Sequence, residues 1–80
     1  MGYTFQQRKN RQYVSSMIIY FIEYDRDTSL LKIGFNDGLI GYYKDVPGDL
    51  ISEFKSAVSK GDFFYKKLYN GEFENHIESV

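Results

Sequence analysis

Apolar and polar positions change character twice along this chain, first in short runs between Met17 and Lys44, then every three or four residues after Pro47. The first pattern is that of strands and the second that of a helix. Met17 to Tyr24 is rich in β-branched and aromatic residues and too short for a helix, so it predicts a strand. Asp25-Arg26-Asp27-Thr28-Ser29 is a turn cluster whose short polar side chains bond back to the main chain. Leu30 to Phe35 and Leu39 to Lys44 predict a second and a third strand, joined by Asn36-Asp37-Gly38 with glycine supplying positive φ.

Loop length decides which side chains face inward. A two-residue turn sets Leu31 opposite Lys44 and buries a lysine. A three-residue loop with Gly38 in the bulge sets Phe35 opposite Leu39, Ile33 opposite Gly41 and Leu31 opposite Tyr43, an apolar face throughout. The core face is then Leu31, Ile33, Phe35, Leu39 and Tyr43, with Ile18, Tyr20, Ile22 and Tyr24 as first-strand partners. The same parity gives the outer face Ile19, Phe21, Glu23, Leu30, Lys32, Ile40, Tyr42 and Lys44, which is more apolar than a solvated face should be.

Val46-Pro47 opens a helix, because proline suits the first turn and disfavours helix before it. Leu50, Ile51, Phe54, Ala57 and Val58 follow at helical spacing, and Gly61 suits the stop. Asp62 is placed to cap a short second helix through Tyr69, with Phe64 and Leu68 on one face, and Asn70-Gly71 ends it. The expected fold class is α+β, a three-stranded antiparallel β-meander followed by one main helix and a short second helix. Residues 1–12 read as a flexible basic arm, 13–69 as the domain and 70–80 as an acidic tail.

Eighty residues make one domain with a thin core, and the chain compensates with eight Tyr and seven Phe. Without Cys there is no disulfide, thiolate nucleophile or cysteine metal site. Met17 to Ile22 is too short to span a bilayer and lacks a signal-peptide layout, so a cytoplasmic protein without membrane partners is expected. Net charge is only −1 but unevenly spread, with Arg8, Lys9 and Arg11 in the arm and Glu72, Glu74 and Glu78 in the tail.

Catalytic sets are missing. His76 stands alone in the tail, Ser15, Ser16 and Ser59 have no adjacent base, and the glycines form no phosphate-cradling loop. Asp25 and Asp27 are not followed by oxygen ligands at calcium-loop spacing and read as turn residues, while Ser15 and Ser16 suit main-chain bonds where the strand starts. No enzyme, cofactor or metal is expected. Tyr42 between Lys32 and Lys44 is the one grouping with nucleic-acid character, since a base stacks on an exposed ring while ammonium groups meet phosphates. Tyr65, Lys66 and Lys67 form a second, local version.

Val14-Ser15-Ser16, Tyr24-Asp25, Gly38, Tyr43, Val46-Pro47 and Ser59-Lys60-Gly61-Asp62-Phe63-Phe64 form an ordered set that resembles the KTSC domain, named for its place at the carboxy terminus of some lysyl-tRNA synthetases. The family includes stand-alone bacterial and phage proteins of this size. The resemblance spans Val14 to Leu68. Two positions depart from it: Gly41 stands where the first tyrosine of a Y-x-Y pair is usual, and Tyr65 where Asn or His is common. Gly41 faces the core in the chosen register, which favours a packing role for that position.

The family's place on a synthetase implies RNA as a ligand. The first expectation is therefore a non-catalytic module that binds single-stranded RNA through Arg8, Lys9, Arg11, Phe21, Lys32, Ile40, Tyr42 and Lys44. The alternative is protein–protein interaction on the same outer face, as a homodimer through Ile19, Phe21, Leu30 and Ile40 or as a phage-type inhibitor or adaptor. A third expectation is that the second helix or the arm covers that face.

Overall fold

Short turns join the β-prone runs, so each run pairs antiparallel with its neighbour in sequence. In this computed structural model, which describes residues 11–79, the strands are β1 (Gln12–Tyr13), β2 (Ile19–Asp25), β3 (Leu30–Phe35), β4 (Leu39–Tyr43) and β5 (Asn75–Ser79). They form one five-stranded sheet in the order β1-β2-β3-β4-β5. Helix α1 spans Gly48–Ser56, and helix α2 (Lys60–Phe63) runs on into a π-helical segment, Phe64–Tyr69. The α+β class stands, but five strands replace the expected three. β1 has only two residues, and β5 carries a single apolar side chain, so neither shows the alternation that marks a half-buried strand.

The β3–β4 register agrees with the three-residue loop. Leu31 pairs with Tyr43 and Ile33 with Gly41, and Gly38 has φ of 94°. The parity of β2 does not follow expectation throughout. A bulge between Ile19 and Phe21 shifts the register, so Ile19 and Ile22 both face the core while Tyr20 turns out to solvent. Tyr20 therefore leaves the expected core, and Ile19 joins it with Ile22, Tyr24, Leu31, Ile33 and Tyr43.

Pro47 caps α1, which ends at Ser56, earlier than the apolar spacing suggested, and leaves Val58 fully exposed. Lys60 Nζ donates to the Ala57 carbonyl at 2.7 Å in the connection. Ser59, not Asp62, caps α2, its Oγ accepting from the Asp62 amide at 3.2 Å. Gly61 is not a stop but a buried residue of α2, where an added Cβ would lie 3.0 Å from Ile18 Cδ1. Ile51 and Phe54 of α1 and Phe64 and Leu68 of the π-helical segment complete the core over the inner sheet face. Phe54 stacks on Phe63 at 5.0 Å between centroids, 11° from parallel.

Both supposed loose ends carry structure. Arg11 and Gln12, assigned to the arm, reach the sheet, and Asn75–Ser79 of the supposed tail is β5. Ser16 Oγ accepts from the Ile18 and Ile19 amides, and Asp25 Oδ1 from the Asp27 amide, as the turn reading of these residues required. No helix among the described residues is long and apolar enough to cross a membrane.

Candidate functional site

The outer face gathers five of the expected site residues. Arg11, Phe21, Lys32, Ile40 and Tyr42 line one hollow of about 480 Å³. Phe21 lies flat on Gly34, where an added Cβ would sit 2.1 Å from the ring, and the Arg11 guanidinium stacks above at 3.9 Å. Lys32 Nζ is 6.0 Å from the Phe21 ring and 5.9 Å from the Tyr42 ring. Lys44 is not part of this hollow, and its ammonium sits 3.9 Å from Glu74. Arg8 and Lys9 lie outside the described residues.

Each cation here has an acid beside it. Arg11 Nε and Nη2 both lie 3.1 Å from Glu23 Oε1, and Lys32 Nζ lies 4.0 Å from the same oxygen. Glu23 is buried, and its Oε2 has no hydrogen-bond partner among the described residues. β5 adds more negative charge: Tyr42 stacks on His76 at 6.3 Å and lies beside Glu78. Burial, then the Glu78 charge, raises the Tyr42 pKa above its usual value. Arg11 and Lys32 share Glu23, Lys44 faces Glu74, and Glu78 adds a third carboxylate beside Tyr42, so the face has little net field to attract phosphate. The apolar patch expected here is not open either. Phe21 and Leu30 are buried, and Ile19 belongs to the opposite face, so a homodimer through Ile19, Phe21, Leu30 and Ile40 does not fit the fold.

Tyr13 and Tyr20 stand exposed beside Phe21 on the outer face, and a further exposed apolar surface lies on the other side. A cleft of about 370 Å³ opens between the ends of β3, β4 and β5 and the π-helical segment, with Phe35, Leu39, Tyr65, Tyr69 and Ile77 on its walls and Tyr43 and Phe64 behind. Gly41 forms part of its geometry. A Cβ there would lie 2.9 Å from Ile77 Cδ1, 3.1 Å from the Tyr43 ring and 3.2 Å from the Phe35 ring, so the missing side chain lets Ile77 settle over the strand. The Asn70 amide donates to the Tyr65 carbonyl at 3.0 Å, the wide i→i+5 bond of a π turn. That widening sets Tyr65 and Tyr69 edge-to-face at 5.4 Å, both beside Phe64. Tyr65 is 46%, Tyr69 65% and Ile77 43% exposed. Through Ile18 and Tyr65 this surface continues to Met17 and Val58, both almost wholly exposed.

Tyr43 at the back of the cleft is buried, and its phenol is pushed up to about 12, first by burial and then by nearby Tyr69. The phenol ionises near pH 10 in the unfolded chain, so the unfolded state loses this proton first. Its contribution is intact below pH 10 and is lost as pH rises towards 12, on the order of 2 kcal/mol in all. Urea unfolding at pH 9 and pH 11.5 should show that loss, and Tyr43→Phe should show a smaller one. Equal slopes in both proteins would place the phenol in solvent.

No group of three or more His, Asp and Glu that could hold a metal ion occurs among the described residues. His76 Nε2 lies 3.3 Å from Glu78 Oε1 on the exposed surface of β5, not in a cavity with a nucleophile. Sequence pattern missed Met17, Val58, Tyr65, Tyr69 and Ile77 as a group. The legible signals were the i, i+4 tyrosine pair and one isoleucine inside an acidic stretch.

The KTSC domain family matches residues 15–73. The chain is also similar to a crystal structure of a KTSC domain protein from Yersinia pestis. That match has a TM-score of 0.73 and 38% sequence identity, and covers 88% of this chain and 94% of that one. No curated protein matches the chain. The residues that carried the resemblance mostly do structural work. The Tyr24 hydroxyl donates to the Val46 carbonyl, Ser59 caps α2 and Gly61 admits Ile18. The two departures, Gly41 and Tyr65, both shape the aromatic cleft. The chain belongs to the KTSC domain family.

Proposed function

We propose that the chain is a small non-catalytic module that works by protein–protein interaction, through the side bearing the aromatic cleft. The observation that carries this is the set of exposed side chains Tyr65, Tyr69 and Ile77 around a concave wall, with Met17 and Val58 exposed in the adjoining hollow. Exposed apolar side chains gathered on a concave wall are the kind of surface on which another molecule docks. Tyrosine is also the side chain that anchors interfaces most often, with large contact area and only two side-chain torsions to fix. The test is to compare the full chain with Tyr65→Ser/Tyr69→Ser as bait in extract of the source cells. A discrete protein bound by the first and lost by the second supports the reading. Equal recovery on both moves the interaction off the cleft.

A second reading keeps single-stranded RNA on the outer face. Its specific support is the Lys32 ammonium 5.9 Å from the Tyr42 ring, a cation and an aromatic side chain within reach of one nucleotide. The matched acids Glu23, Glu74 and Glu78 weigh against it. Fluorescence-anisotropy titration of mixed-sequence RNA decides: saturable binding that weakens with salt and with Lys32→Ala sustains this reading, and none at low salt removes it.

A further inference from the structure

We infer that the open edge of β5 pairs with β5 of a second copy, joining two five-stranded sheets into one continuous antiparallel sheet about a two-fold axis at Ile77. The inference deepens the protein-interaction reading and rests on it, since it names the partner. Among the described residues β1 and β5 lie at the ends of the strand order, but β1 has two residues and β5 has five, all exposed. β5 contains no proline and no lysine, the usual devices that keep an edge from pairing.

The hydrogen-bond phase of β5 follows from one bond. The Lys44 amide donates to the Glu74 carbonyl at 2.9 Å, in the same register that pairs Tyr42 with His76 and Ile40 with Glu78. In an antiparallel ladder alternate residues bond to the same neighbour. Residues 74, 76 and 78 therefore bond to β4, and the main-chain groups of Asn75, Ile77 and Ser79 point away from it. A second antiparallel strand would find these donors and acceptors at its own spacing, with about six backbone hydrogen bonds across the two-fold.

Side-chain chemistry selects a second copy as the occupant. With Ile77 opposite Ile77 of the second copy, His76 falls opposite Glu78 and Glu78 opposite His76, while Asn75 falls opposite Ser79. The strand is thus self-complementary: an apolar pair at the axis, a His–Glu pair on each side of it, and polar pairs beyond. His76 already lies 3.3 Å from Glu78 of its own chain, so the pairing would build a cluster of two imidazoles and two carboxylates on the outer face. On the inner face Ile77, 43% exposed at the cleft rim, would be covered by its mate. A two-fold axis normal to the sheet sets both clefts on the same side, so the apolar surface around Tyr69 would become continuous between copies.

Sedimentation equilibrium of the full chain, from micromolar to millimolar, reads the association directly. The expected result is a concentration-dependent rise from 9.4 kDa to twice that mass. Ile77→Pro, which removes an outward-facing N–H, should hold the mass at 9.4 kDa with an unchanged circular dichroism spectrum. His76→Glu should weaken association at least tenfold by setting glutamates opposite each other, and His76→Glu/Glu78→His should restore it, because the swap regenerates both cross-axis pairs. A chain that stays monomeric at millimolar concentration overturns the inference, as does a dimer indifferent to the charge swap series. Retention of a different protein by the cleft, with no self-association, would leave the protein-interaction reading standing and remove only the second copy.

Discussion

Replacing Gly34 with alanine is expected to lower stability by about 3 kcal/mol, a drop in Tm of roughly 15 °C for a domain of this size. The new methyl would sit 2.1 Å from Phe21 Cε2 and 2.5 Å from Cδ2, well inside contact distance. Phe21 has little room to yield, because the Arg11 guanidinium lies 3.9 Å above it and Tyr13 and Tyr20 pack edge-on beside it. The ring stands in for the side chain that Gly34 lacks, shielding the backbone at the bulge. Gly34→Ala and Phe21→Val should therefore be strongly non-additive, with a coupling of about 2 kcal/mol in a double-mutant cycle read by urea unfolding. Additive losses would mean that the ring and the glycine are not in contact.

Truncating Phe54 should be costlier. Its side chain is fully buried at the centre of the inner face and stacks on Phe63, the contact that ties α1 to α2. Phe54→Ala removes both buried area and that stack, and the expected loss is about 4 kcal/mol. A domain this small has total stability of only a few kcal/mol, roughly, so the variant should be largely unfolded at 25 °C by circular dichroism. Phe54→Leu keeps most of the volume and should cost about 1.5 kcal/mol or less. A folded alanine variant would place the weight of the core elsewhere than at the α1–α2 junction.

The parts of this fold that were readable from sequence are those where one side chain decides one local geometry. Gly38 fixed the β3–β4 register through a positive φ, and the need to keep Lys44 out of the core selected the loop length. Pro47 marked the start of α1, and Phe64 and Leu68 revealed the buried stripe of the following segment. What failed depended on tertiary partners. The bulge at Tyr20-Phe21 leaves no sign in a run of six apolar residues, so the faces of Ile19 and Tyr20 came out reversed. β5 is a strand because β4 offers it an open edge, not because Asn75-His76-Ile77-Glu78-Ser79 has strong strand propensity. Once β5 is placed, the candidate site moves. Glu74 and Glu78 come up against Lys44 and Tyr42 on the outer face, and Ile77 becomes the rim of the aromatic cleft. The KTSC resemblance was legible for a related reason: its residues are caps, hydrogen bonds and close-packing glycines, which specify the fold and are silent on the ligand.

On the proposed reading, the cleft side of the sheet is where the chain meets another protein. A photoreactive benzoylphenylalanine placed at Tyr69, beside the cleft, and separately at Tyr42, on the outer face, tests it in living source cells. Protein adducts are expected from position 69, at the mass of a second copy or of one discrete other protein, and none from position 42. RNA adducts from position 42, with position 69 silent, would contradict it and return the function to the outer face.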